Sequence, residues 1–146
     1  MASKIVPLIS SGVAGPLGVL HLPRLWCKVL LDARGLLPEG HDACGKGYDQ
    51  MVLDGLGLDR EATLKFLRGQ FPTYVQFEEW VLAQKGGRLD RAAVDRLNAS
   101  ILGYNHGDAT RADILSHAGR KDDGTVKDAV RLNALEDWHD FHAGIK

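Results

Sequence analysis

Residues 22–33 read LPRLWCKVLLDA, and this stretch decides the fold class. Leu22, Leu25, Trp26, Val29, Leu30 and Ala33 recur at spacings of three and four, which lays them along one face of an α-helix. Pro23 suits the first turn, where a missing N–H has no partner to lose, and Gly35 is a natural stop. The spacing predicts a helix over 22–34 that buries Trp26.

The same kind of reading extends outward. Residues 1–20 are rich in Gly, Ser and Pro and read as an irregular arm. Downstream, a loop over 36–47 precedes a short helix from about Asp49 to Leu56. Asp59 caps a helix that packs through Ala62, Phe66 and Leu67. Thr73 and Gln76 form a capping box, in which hydroxyl and amide each satisfy a backbone N–H of the other residue. Asp90 caps a further helix to about Leu102. Thr110-x-x-Asp113 and Thr125-x-x-Asp128 are read as the starts of the last two helices, the final one running to about His142. No alternating strand pattern appears. The expected fold is all-α: a compact single-domain bundle of about seven helices (21–146) preceded by the irregular arm. Trp26, Phe66, Phe77, Trp80, Trp138 and Phe141 fall at helical spacing and are expected in the core.

Bulk properties exclude several functions. A chain of 146 residues is one domain, and one that buries roughly 68–70% of its unfolded surface, enough for its own core. A net charge of −1 and no Lys/Arg run leave no footprint for nucleic acid. No apolar run approaches the ~18 residues of a membrane span, and the short run Ile5–Ile9, broken by Pro7, makes a poor export signal. Cys27 and Cys44 form no CxxC, so reduced thiols in a cytoplasmic protein are expected, as monomer or homodimer.

Five groups of residues can carry chemistry. The loop Gly40-His41-Asp42-Ala43-Cys44-Gly45-Lys46-Gly47 has the G-x-x-x-x-G-K core of a phosphate loop, but Gly47 stands where Ser or Thr would hold magnesium and no strand precedes it. It reads as a surface loop or lid. On the first helix His21, Arg24 and Lys28 line up three and four apart, a row suited to a carboxylate or phosphate, with Asp32 as the alternative partner of Lys28. On the last helix Asp137 and His142 offer a carboxylate and an imidazole for acid–base work. His139 and His142 form only an H-x-x-H, too weak a signal for a metal, so neither metal nor other cofactor is expected. Asn98 and Asn133 fall among apolar neighbours and either tie helices together or point into a polar pocket. Tyr104, Asn105 and His106 place a phenol, an amide and an imidazole in one loop.

The run His21-Leu22-Pro23-Arg24-Leu25, then Phe77-Glu78-Glu79-Trp80-Val81, Asn98, Asn105-His106, Arg131-Leu132-Asn133, Asp137-Trp138 and Phe141-His142 resembles a family of small bacterial proteins known only as a domain of unknown function. The resemblance spans about Gly15 to His142. It matches His142 to a family position but not His139, and it implies a free-standing bacterial protein without implying an activity. The residues themselves point to a small cofactor-independent enzyme, a lyase, isomerase or hydrolase, acting on a small anionic metabolite. In that reading Asp137, His142, His106 and Lys28 are catalytic, and His21, Arg24, Asn98, Tyr104, Asn105 and Asn133 bind substrate. A non-catalytic helical interaction module and a metal-dependent hydrolase or lyase are the alternatives.

Overall fold

The computed structural model describes residues 3–146 and is all-α. Seven helices follow one another: α1 (Leu22–Ala33), α2 (Tyr48–Leu56), α3 (Arg60–Gln70), α4 (Tyr74–Gln84), α5 (Arg91–Gly103), α6 (Asp108–Ala118) and α7 (Ala129–Ile145). The only β pairing among the described residues is two isolated bridges, Ala14 with Leu20 and Asn105 with Asp128.

Local chemistry explains most helix starts. Asp59, Thr73 and Asp90 each accept a backbone N–H of the first turn, and the Thr73–Gln76 box is complete in both directions. Two starts differ from expectation. α6 begins at Asp108 after Gly107, not at Thr110, and α7 is capped by Asp128, which accepts from Arg131 N, not by Thr125. The cause is tertiary. Ala129 N donates to Tyr104 O and His106 N to Lys127 O, so the chain around 127–129 is fixed against the loop before α6. The two helices therefore start side by side and run the same way.

α1 lies at the centre. Its Leu22, Leu25 and Val29 are fully buried against Val52 and Leu53 of α2, Leu67 of α3, and Phe77 and Val81 of α4. Val94, Leu97 and Ile101 of α5 complete this core, and Gly55 lets α2 approach Leu97, where a Cβ would meet the leucine at 2.8 Å. A smaller cluster of Ile114, Leu115 and Leu132 joins α6 to α7. Phe77 sits in the core as expected, and Trp26, Phe66 and Trp80 pack partly buried against it, with Trp26 Nε1 donating to Pro72 O. Trp138 and Phe141 do not: they are 60% and 43% exposed, because α7 turns Ala129, Leu132, Ala134 and Asp137 inward instead.

The arm has no helix but is firmly held by side chains. Asn98 accepts from Leu20 N and donates to Gly18 O, Glu78 accepts from Leu17 N, and Arg24 donates to the carbonyls of Pro7 and Ile9. Gly15 passes so close to Tyr74 that a Cβ there would lie 2.4 Å from the ring. No helix is long and apolar enough to cross a membrane among the described residues.

Candidate functional site

The polar row of α1 faces a cavity of ≈ 270 Å³ closed by the Gly40–Gly47 loop, the start of α2, the Tyr104–His106 loop and α7. The charged groups on its floor neutralise one another. Arg24, only 7% exposed, donates to both oxygens of Asp137 at 2.7 and 3.3 Å. Lys28 donates to Asp49 Oδ2 at 2.6 Å, and His21 Nε2 lies 2.6 Å from Asp49 Oδ1. The sequence suggested Asp32 for Lys28, but Asp32 faces Arg68 on the surface. Arg24 and Lys28 are thus buried ion-pair members, not a solvent-facing anion clamp.

Electrostatics fix the protonation of this floor. Burial lowers the His21 pKa, against the pull of Asp49, so the imidazole is neutral. Its Nε2–H donates to Asp49, and its Nδ1 accepts the Ser11 hydroxyl at 2.9 Å. Burial alone would raise Asp49, but the hydrogen bond from His21 and the charge of Lys28 hold its carboxyl down at about 2. Burial raises Asp137, against the pull of Arg24. Ser11, His21 and Asp49 are connected in the order of a hydrolytic triad, yet Ser11 is 1% exposed and does not line the cavity. Its hydroxyl is engaged by His21 Nδ1, away from the cavity. His21 is held in the left-handed region at φ 69, a strained conformation for a non-glycine residue that costs roughly 1–3 kcal/mol. Its bonds to Ser11 and Asp49 keep it there.

Above this floor stand groups that remain available. His106 Nε2 lies 2.8 Å from Asn133 Oδ1, so it carries the proton and donates. The other ring nitrogen, Nδ1, has no hydrogen-bond partner among the described residues, and no unpartnered side-chain nitrogen or oxygen is buried, so Nδ1 is open to solvent. Glu136, one helical turn beyond Asn133, is likewise half-buried, unpaired among the described residues and open. Tyr104 lies edge-on to His106, with ring centroids 5.9 Å apart. Tyr48 donates to Ile101 O, and burial pushes its phenol up to about 12, so it serves as a wall.

The Gly40–Gly47 loop forms the rim. Its Cys44–Gly45 end is fastened: Arg60 donates to the carbonyls of both residues, and Gly45 N donates to Asp49 at 2.8 Å. Lys46 stands on the rim, exposed.

Seven expected site residues line the cavity: His21, Arg24, Lys28, Tyr104, His106, Asn133 and Asp137. Three do not. Asn98 is engaged by the arm, Asn105 is exposed beside its bridge to Asp128, and His142 is exposed on the last turn of α7. Asp137 therefore meets Arg24, not His142. Sequence reasoning missed Asp49, Glu136 and His41. For Asp49 a signal existed: two cations on α1 need a buried counter-charge, and an acid in the first turn of the helix after a Gly-rich loop is well placed to give it. No known family model matches this chain and no curated protein matches it, so the meaning of the cavity rests on its own atoms.

Proposed function

We propose that the chain is a small enzyme that moves protons on a small polar metabolite, a lyase, isomerase or hydrolase, using its own side chains in this cavity. One observation carries the reading. His106 is held through Nε2 by Asn133 and presents an open Nδ1 in a cavity whose floor is buried and internally neutralised. An imidazole with one nitrogen anchored and the other free is the arrangement a general base needs. Glu136 is the second proton carrier, and Tyr104 supplies a phenol beside the base. This replaces the pair Asp137 and His142 expected from sequence. Arg24 and Lys28 are paired with Asp137 and Asp49, so they do not form the anion clamp that the sequence suggested. Lys46, exposed on the rim and unpaired among the described residues, is placed to meet a carboxylate or phosphate.

The test is solvent exchange. Pools of small carboxylic, amino and phosphorylated metabolites are incubated with the protein in D2O, and deuterium uptake or product formation is followed by NMR. Turnover should appear and fall by about 10²–10⁴-fold in His106→Gln, the usual contribution of a general base. Turnover undiminished in both His106→Gln and Glu136→Gln overturns the reading.

A non-catalytic interaction module is the second reading, and one observation favours it. Trp138, Phe141 and Ile145 are exposed at spacings of three and four on one face of α7. Self-association at micromolar concentration, lost in Trp138→Ser, with no metabolite turned over, would support it. The free thiols of Cys27 and Cys44 support a reducing, cytoplasmic setting for either reading. The residues quoted for the resemblance support placing the chain among small bacterial helical proteins.

A further inference from the structure

A second group of chemically competent side chains lies outside the cavity floor. α6 and α7 start together at the Asn105–Asp128 bridge and are packed through Ile114, Leu115 and Leu132. His117 lies one turn beyond Ile114, and His139 two turns beyond Leu132, so both project where that apolar seam runs out. The result is a convergence of His117, His139 and Asp140, each offering a ligand atom within 4.8 Å of the other two. His117 Nε2 is 3.0 Å from Asp140 Oδ1, and the two imidazoles meet edge-on with centroids 4.6 Å apart. Asp140 turns its other oxygen to His41 Nε2, 3.8 Å away on the Gly-rich loop.

We propose that His117, His139 and Asp140 form a binding site for a divalent transition metal of the zinc class. Two ligands each at ~2.0–2.1 Å from a tetrahedral zinc ion are themselves ~3.3 Å apart. The His117–Asp140 separation already approximates that spacing, so metal can replace the proton these two share, and His139, within 4.8 Å of both, completes the set by closing in. Two imidazoles and one carboxylate select zinc, cobalt or nickel over magnesium and calcium, which want oxygen ligands. Three protein ligands leave a coordination position for water or substrate. An adjoining cavity of ≈ 540 Å³, bounded by Asp113, Glu136, His117 and Asp140, gives that position room. His41, 3.8 Å from the second carboxylate oxygen, is near enough to close to hydrogen-bond distance and serve as the outer group when metal is bound. The partner of His139 is His117 across the helix pair, not His142 along its own helix. The site stands on different atoms from the His106 base and does not depend on the proposed activity.

The experiment titrates untagged protein, first stripped with a chelator, with zinc or cobalt chloride alone. Calorimetry should give one equivalent bound, and cobalt should develop the visible absorption of a tetrahedral site. Outer partners contribute about 10–100-fold to metal affinity, so His41→Ala should weaken binding within that range. His117→Gln and His139→Gln should each weaken it beyond ~100-fold, with unchanged circular dichroism, and the cobalt spectrum should disappear. Stoichiometric binding that survives in both variants places the metal elsewhere and overturns the proposal, as does wild-type protein that binds no metal at millimolar concentration.

Discussion

At the residue scale, Arg24 decides how the site is built. Its guanidinium gathers two arm carbonyls and the Asp137 carboxylate, at 7% exposure. Removing one member of a buried pair leaves the other charged and uncompensated, at a cost of about 3–5 kcal/mol. Arg24→Ala should therefore lose that much in urea denaturation, and Arg24→Met with Asp137→Leu should recover part of it, because paired apolar groups carry no desolvation penalty. An Arg24→Ala protein as stable as wild type would show that the pair is not buried in solution. Arg24 and Lys28 were legible as neighbours because helical spacing is local, whereas His21 joins them from the left-handed position just before α1. Their counter-charges were not legible. Asp49 lies 28 residues from His21 and 21 from Lys28, and Asp137 lies 113 from Arg24, so only tertiary packing brings them in. What was read as a clamp for an external anion is a clamp already closed on internal ones.

At the element scale, what could be read depended on whether a boundary is set by its own neighbours. The caps at Asp59, Thr73 and Asp90 act over two or three residues and were legible. Thr110 and Thr125 offered equally good local signals that lost to the pairing of Tyr104–His106 with Lys127–Ala129. The aromatics of α7 show a related limit: spacing tells that Trp138 and Phe141 share a face with Ile145, not that this face turns outward. The arm was legible as irregular but not as ordered, because its anchors are side chains far along the chain. Asn98 makes two such bonds: its Oδ1 accepts from Leu20 N at 3.0 Å and its Nδ2 donates to Gly18 O at 2.7 Å. Asn98→Ala should destabilise the fold by about 1–3 kcal/mol through the unpaired backbone groups. Thermal melts of the variant check this, and unchanged stability with impaired turnover would return Asn98 to substrate binding.

At the scale of the whole molecule, the buried Asp49 links stability to pH. Its carboxyl titrates at about 2 in the fold, against an ordinary value of 3.8. A carboxyl held down in the native state stabilises it above the unfolded pKa, and this contribution is lost as pH falls through the native one. The shift corresponds to ~2 kcal/mol, present at neutral pH and lost between about pH 4 and pH 2. Wild-type protein should weaken across that window. Asp49→Asn should be less stable at neutral pH, with a flatter acid limb. Parallel acid limbs for the two proteins would remove Asp49 from this role.

The bond between Arg24 and Asp137 has a consequence for the order in which the molecule comes into being. A growing chain completes the arm, α1 and α2 long before the carboxylate that closes the cavity floor has been synthesised. Until α7 emerges, Arg24 has only backbone carbonyls to meet its charge, and the second wall of the cavity does not exist. The pocket is thus finished late in synthesis, and a polypeptide cut short before Asp137 carries most of the hydrophobic core but lacks the carboxylate that pairs with Arg24.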